Sequence, residues 1–450
     1  MSDWTSLQNL TDNNHINFAL GHPSLLPTEL LLETIRTVCE TCENTVENES
    51  SFLRFEASLK YTSRRGSPAT LRVMSTFLSK AFDEQDKVGS STHPSNPFSD
   101  AHADNLLITG GVSQGIDMAC AALTQPGDLV VIELPTYFLA ANIFKDHGLS
   151  LLGIQGICSD SPGGNYFDVD ELQLQLQGGL RPRLVYLIPS HSNPTGGSMP
   201  LSKRRQLVDL AIQYEFYIFA DEVYHLLTWG EQPPPPRFFE VMKCNQNTET
   251  KDESQRNHGV GPTTFCPVIS FSSFSKILAP GLRLGWIEAA SELIERISNR
   301  GYLSSGGCIA PFTSGMVANF ISSGRLSVFL TTLKETYKKR SNALAKALEA
   351  EAETTGWHFA GMPCAPSGGY FLWLRLPPDT DTCSLAAEAR VQNVSYLPGD
   401  LCFLEGGEDS VQTTDVYIRL CFAFLTTEEI IEGVRRLSLA VRATRSETIP

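Results

Sequence analysis

From Asn105 onward the chain alternates short apolar runs with longer amphipathic ones. "LLIT" (Leu106–Thr109) precedes the helical pattern "SQGIDMACAAL", which stops at "QPGD". "LVVIELP", "YFLAANIFKDHG" and "LSLLGI" repeat the alternation, as do "RLVYLIP", "SKRRQLVDLAIQYE" and "FYIFADE" further on. Short β-rich runs separated by helices of this length predict βαβ units and a mostly parallel sheet flanked by helices. Such sheets bind ligands beyond the carboxyl ends of their strands, so the residues that follow each run carry the interest. Beyond residue 311 the pattern changes to long helices, notably Leu326 to Ala352. The short strands "YFLWLRL" and "VYIRLCF" and an amphipathic helix from Thr426 follow, which predicts a second, smaller α+β domain. The expected division is an N-terminal arm with part of the small domain (1–51), a large domain (52–310) and a C-terminal small domain (311–450). Residues 88–103 and 231–262 are polar and rich in turn formers, and are expected to be inserted surface loops.

Bulk properties narrow the class without deciding it. The 450 residues are 42% hydrophobic and 19% charged, ordinary for a globular protein with a large core. A net charge of −15 opposes nucleic-acid binding. The opening "MSDWTSLQNLTDNNH" lacks the basic and apolar regions of a secretory signal, and no apolar run approaches the roughly 20 residues of a membrane helix. A cytoplasmic protein without membrane partners is the expectation. The cysteine count of 11 is odd, which disfavours a disulfide framework, and the isolated "CETC" (Cys39, Cys42) reads as two thiols on a helix. No metal site is expected.

The candidate chemistry lies where the strands end. "FYIFA" is followed by Asp221 and Tyr224 in "DEVYHLL", "RLVYLIP" by Asn193 in "SHSNPTGG", and "VVIE" by Tyr137 in "LPTYF". "LLIT" runs into "GGVSQG", Gly110 to Gly115. In "SFSSFSKILAPGLRLGW" (Ser270–Trp286) one lysine, Lys276, stands among serines and apolar residues, with Arg283 downstream. A lysine there has three readings: a half-exposed strand end, a phosphate ligand, or an amine that forms a Schiff base. Each residue also has a plain reading, as helix cap, turn or packed aromatic. One ligand gives all of them work. A glycine-rich turn entering a helix offers N–H groups and a positive dipole end to a phosphate, completed by Ser273 and Arg283. An aspartate keeps a pyridine nitrogen protonated, asparagine and tyrosine hold a ring oxygen, a second tyrosine stacks, and a lysine bonds to an aldehyde. That ligand is pyridoxal 5'-phosphate.

These segments, in this order, resemble the fold-type-I pyridoxal-phosphate enzymes, specifically the class I/II aminotransferases and among them the aminoadipate and multi-substrate subgroup. "SFSKILAPGLRLGW" is similar to that family's Schiff-base segment, "NPTGG" to its asparagine turn and "DEVY" to its aspartate strand end. "INFALGHPSLLP", "LKYTSRRGSPATLR", "SGGYFLW", "YLPGDLCF" and "YIRLCFA" extend the likeness over roughly residues 16–440. The resemblance implies an α/β fold and an aminotransferase that moves an amino group between an L-amino acid and a 2-oxo acid by a ping-pong route. It implies Lys276 as the Schiff-base lysine, Asp221 as the partner of the ring nitrogen, Asn193 and Tyr224 at the ring oxygen, and Tyr137 stacked on the ring. Val112, Ser113, Ser273 and Arg283 would hold the phosphate. Tyr61 would reach the phosphate of a neighbouring subunit, which implies a homodimer. Arg419 would clamp the substrate's α-carboxylate, with Asn193 and Gly21 beside it. A lyase or β/γ-replacement enzyme would keep the same residues. A cofactor-sensing regulator would place a DNA-binding domain ahead of a likeness that here begins near Ile16. No lysine or arginine precedes Arg36, so only His15, His22 or the pair Arg64–Arg65 remain to meet a distal carboxylate, and the two arginines read as solvated loop residues.

Overall fold

The computed structural model describes residues 14–43, 59–86, 103–157, 165–230, 233–242, 265–359, 365–378, 380–404 and 416–446. After a two-residue β1 (Ile16–Asn17), the chain builds β2 (Leu106–Thr109), β3 (Leu129–Leu134), β4 (Ser150–Ile157) and β5 (Tyr166–Phe167). Then come β6 (Leu184–Leu187), β7 (Tyr217–Asp221), β8 (Val268–Ser273) and β9 (Gly285–Ala289). Strands β2 to β9 form one eight-stranded sheet in the order β2-β9-β8-β7-β6-β3-β4-β5. Strands β4, β3, β6, β7 and β8 run parallel, while β9 lies antiparallel between β8 and β2, and β5 is antiparallel at the far edge.

The near-continuous apolar runs have a simple cause: both faces of the sheet are covered. Val130, Ile132, Tyr186, Phe219, Ile269 and Phe271 point into the larger core, with Ile116, Leu123 and Phe144 from the helices Val112–Leu123 and Phe138–Asp146. Their strand neighbours Val131, Val185, Leu187, Ile218, Ala220 and Val268 point the other way, onto Leu172, Leu176, Leu207 and Val208 of the helices Val169–Gln177 and Leu201–Tyr214. The period of two along each strand sorts residues between two cores rather than between core and water. Each fully buried leucine or phenylalanine contributes about 1.5–3 kcal/mol.

A second sheet follows the long helix Arg325–Thr355. It is formed by β10 (His358–Phe359), β11 (Phe371–Arg375), β13 (Leu397–Pro398) and β14 (Tyr417–Cys421), ordered β10-β11-β14-β13 and antiparallel throughout. β12 (Val394–Ser395) pairs with β1 instead. The Cys421 N–H donates to the Phe18 carbonyl at 2.9 Å, which lays the N-terminal segment along this sheet. The helix Thr427–Ser446 packs on the long helix. Among the described residues no helix is long and apolar enough to cross a membrane.

One expectation needs correction. Most of the two proposed insertions lies outside the described residues, but Arg237 to Met242, inside the 231–262 segment, is core. Phe238, Phe239, Val241 and Met242 are buried in the second cluster. Buried Arg237 pairs with Glu240 and Glu288, and the Phe238 N–H donates to Glu222 at 3.0 Å. The prolines and polar flanks made a short buried motif look like loop. "RFFEVM" carries its own apolar content, and its arginine is paired both within the segment, by Glu240, and across the fold, by Glu288.

Candidate active site

Five strand ends of the large sheet and two strands of the small sheet, β11 through Phe371 and β14 through Arg419, surround a cavity of about 250 Å³. β7 delivers Asp221 at its last residue, and the next turn delivers Tyr224. The turn after β8 carries Ser273, Ser275 and Lys276. That turn is fixed locally: Ser273 Oγ accepts from the Ser275 N–H at 3.0 Å and donates to the Leu284 carbonyl at 3.0 Å. The Tyr370 hydroxyl donates to the Lys276 carbonyl at 2.8 Å. Asn193 follows β6, and Tyr137 with Phe138 follows β3. After β2, Gly111 begins the helix Val112–Leu123 at φ 96°, a backbone region that favours glycine, and no side chain caps it. A Cβ at Gly111 would stand 3.3 Å from Arg283 Nη2, so the absence of a side chain lets the guanidinium approach the helix start.

The groups that meet in the cavity are electrostatically prepared. Asp221 Oδ2 accepts from the Tyr186 hydroxyl at 3.1 Å, while buried Oδ1 has no hydrogen-bond partner among the described residues. Burial pushes the Asp221 carboxyl up to about 6, against the Tyr186 hydrogen bond, the Val223 N–H and the Lys276 charge. Burial likewise pulls the Lys276 amine down to about 8; Arg419 and Arg283 reinforce this, while Cys421 and Asp221 oppose it. Lys276 Nζ donates to the Gly21 carbonyl at 2.6 Å, and the ammonium sits 5.4 Å from the Tyr370 ring centroid. Arg419 projects from the middle of β14, between β11 and β13. Its Nη1 donates to Asn193 Oδ1 at 2.7 Å, its Nη2 to the Ala19 carbonyl at 2.8 Å, and its guanidinium lies 4.1 Å from the Phe371 ring centroid. Its buried Nε has no partner among the described residues. Burial lowers the Arg419 pKa, and burial raises that of Tyr224.

Gly21, Val112, Ser113, Tyr137, Asn193, Asp221, Tyr224, Ser273, Lys276, Arg283 and Arg419 therefore line one cavity. Tyr61 does not: it is 88% exposed and outside the lining. Arg64 and Arg65 are tied to Glu295 and Asp104 at 2.7 and 2.9 Å, away from the cavity, whereas His22 lines it and packs edge-on against Phe424. Sequence reasoning missed Tyr186, Ser275 and Phe371. A buried tyrosine in the apolar run "LVYLIP" needs a hydroxyl partner, and that was the available signal.

Residues 36–437 match the family model for aminotransferases of class I and II. The chain belongs to that family. It is 31% identical over 342 residues to the aromatic-amino-acid aminotransferase 1 of Thermococcus litoralis, covering 75% of this chain and 72% of the relative. The crystal structure of the multiple substrate aminotransferase from Thermococcus profundus superposes with a TM-score of 0.75 at 25% identity, over 100% of this chain and 96% of that one. The α-aminoadipate aminotransferase from Thermus thermophilus, complexed with N-(5'-phosphopyridoxyl)-L-leucine, gives a TM-score of 0.71 at 25% identity, over 97% of this chain and 94% of that one. The fold is the fold-type-I architecture, and this aminotransferase depends on pyridoxal phosphate.

The cavity of the aminotransferase fits that cofactor by its own chemistry. The bare Asp221 Oδ1 is an acceptor in want of a donor at the end of β7. The helix start at Gly111, with Arg283 against it, offers N–H groups and a positive charge that would suit a phosphate. The Lys276 amine, lowered to about 8, has an accessible neutral form for bonding to an aldehyde near neutral pH.

Proposed function

We propose that Lys276 tethers the cofactor and, once an amino acid has entered, acts as the general base at its Cα. An amine whose pKa is about 8 is matched to taking and returning a proton near neutrality. Asp221 would hold the ring nitrogen protonated through Oδ1, with Oδ2 occupied by Tyr186. Tyr224 and Asn193 would bond the ring oxygen, and Tyr137 would cover the ring. Val112, Ser113, Ser273 and Arg283 would hold the phosphate. When bound, the cofactor supplies the electron sink for the pair left at Cα. Arg419, already aligned by Asn193, Ala19 and Phe371, would take the substrate carboxylate next to Gly21. The observation that carries this reading is the Asp221 oxygen without a partner, in a cavity that also holds an amine of lowered pKa.

The first product leaves and the second substrate enters through the same cavity, as a ping-pong exchange of an L-amino acid for a 2-oxo acid requires. Every cation in the lining already has a role: Lys276, Arg283 and Arg419. The remaining walls include His22, Phe138, Leu139 and Ile143, which favours amino acids with uncharged side chains over those with a distal carboxylate. Exposed Tyr61 would complete a neighbouring subunit's phosphate site in a cytoplasmic homodimer, with domains at 1–51, 52–310 and 311–450. Borohydride reduction of the holoenzyme followed by peptide mapping tests the core of this reading. The label is expected on Lys276, and a label on any other lysine overturns it. Half-reaction screening against the common amino acids, read by absorbance, then tests the substrate class.

A further inference from the structure

We propose that a second cavity, which shares no lining residue with the catalytic one, binds a small organic anion with an apolar body. This cavity is the larger of the two, about 480 Å³ against about 250 Å³. It lies between the helices Pro68–Asp86 and Arg325–Thr355. Arg72 and Lys80 come from the first helix and Lys334 from the second. Phe77, Leu226 and Leu330 are buried and form an apolar floor. Eight residues of helix separate Arg72 from Lys80, which spaces their Cα atoms by about 12 Å. The cations therefore stand along the length of the groove rather than at one point.

Two features set this groove apart from an ordinary solvated helix face. No lining residue is acidic, in a chain with a net charge of −15. Arg72 and Lys80 have no carboxylate partner among the described residues, whereas other surface arginines, such as Arg64 with Glu295, are neutralised. A bare inorganic anion would meet the charges and leave the floor wet, while a neutral apolar molecule would cover the floor and forgo the charges. A compact carboxylate, sulfonate or phosphate ester on an aromatic or aliphatic body satisfies both.

Fluorescence titration of the holoenzyme with 8-anilinonaphthalene-1-sulfonate tests the proposal, with N-phenyl-1-naphthylamine as the uncharged counterpart. One saturable sulfonate site per chain is expected, at least about 10-fold tighter than the neutral probe and weakened by salt. The double substitution Arg72→Glu with Lys80→Glu should weaken the sulfonate by more than about 10-fold and leave transamination and oligomeric state unchanged. The milder pair Arg72→Gln with Lys80→Gln should weaken it by less, and keeps the test valid if charge reversal disturbs folding. Equal affinity for the two probes, or unchanged binding in both variant pairs, overturns the proposal and leaves the cations as solvated rim. So does competition between the sulfonate and amino acid substrate, which would place the probe in the catalytic cavity. Dissociation of the oligomer on charge reversal would reassign the groove to a subunit contact and also overturn it.

Discussion

Asp221 and Arg419 are both buried charges that face one cavity, yet the two sheets present them differently. Asp221 ends a parallel strand of the large sheet, where the chain stops pairing and the side chain keeps one oxygen without a partner. Arg419 sits mid-strand in the small antiparallel sheet, with Trp373 opposite on one side and Leu397 on the other. Its guanidinium is already aligned by two hydrogen bonds and an aromatic face. Burial costs both groups, as the upward shift of the carboxyl and the downward shift of the guanidinium register. The aspartate Oδ1 has no donor among the described residues. The arginine's orientation is set before any ligand arrives. On the proposed reading, the large sheet would supply groups that take up the cofactor, and the small sheet a pre-oriented clamp for what enters afterwards.

That contrast can be broken in order of expected effect. Lys276→Ala should lower transamination by more than about 10⁴-fold, beyond the loss of a general base alone, because the tether goes as well. Single-turnover kinetics on the reconstituted variant measure it, and a variant within about 100-fold of the parent, on the order of a modest binding defect, would refute the assignment. Asp221→Ala should retain cofactor binding through the phosphate cradle and lose about 10³-fold in kcat, since nothing then favours the protonated ring nitrogen. Normal turnover by Asp221→Ala would remove the strand end from the chemistry.

The small-sheet side of the comparison is sharpened by Arg419→Ala. It should leave the cofactor's absorbance unchanged and cost about 3 kcal/mol in kcat/KM, roughly 100-fold, for every amino acid alike. Amines without a carboxylate should be nearly unaffected. Arg419→Lys should recover only part of the loss, because an ammonium cannot reproduce the fork. Equal losses on amines and amino acids would return Arg419 to a structural role.

How much of this was legible in sequence follows the same division. The strand-end groups announced themselves, because a lysine among serines or an aspartate after "FYIFA" breaks an apolar run just where a parallel sheet binds ligands. Arg419 was visible as a costly cation within "VYIRLCF", but its partners Asn193, Ala19 and Phe371 come from three distant segments and no local pattern reveals them. The misread segment at Arg237–Met242 fails for a related reason. Its charges are compensated by Glu240 nearby but also by Glu288, a strand residue on β9 far along the chain. Charge content read locally then suggests solvent where the fold supplies a buried counter-charge. Tyr186 was hidden because a tyrosine in an apolar strand looks like core, and core is what its ring is, packed at 5.4 Å from Phe144.

The smallest expected effect probes that hidden tyrosine. Tyr186→Phe keeps the ring and removes only the donor to Asp221 Oδ2. Without that hydrogen bond the Asp221 carboxyl rises further above its present value of about 6. Its folded pKa already exceeds the unfolded value, so the folded state binds the extra proton and stability falls as pH rises through that window. Raising the folded pKa again extends the loss to higher pH. At pH 5.5 the carboxyl is largely protonated in both proteins, and this contribution to their difference is small. At pH 8 the cofactor-free variant should be less stable than the parent by about 1.4 kcal/mol for each added pKa unit, over and above its deficit at pH 5.5. Denaturant unfolding of the two cofactor-free proteins at both pH values measures it. In the loaded enzyme kcat should fall by about 10-fold, the scale of one hydrogen bond to a charged group. A deficit equal at the two pH values would mean that the hydroxyl serves packing alone and does not orient Asp221.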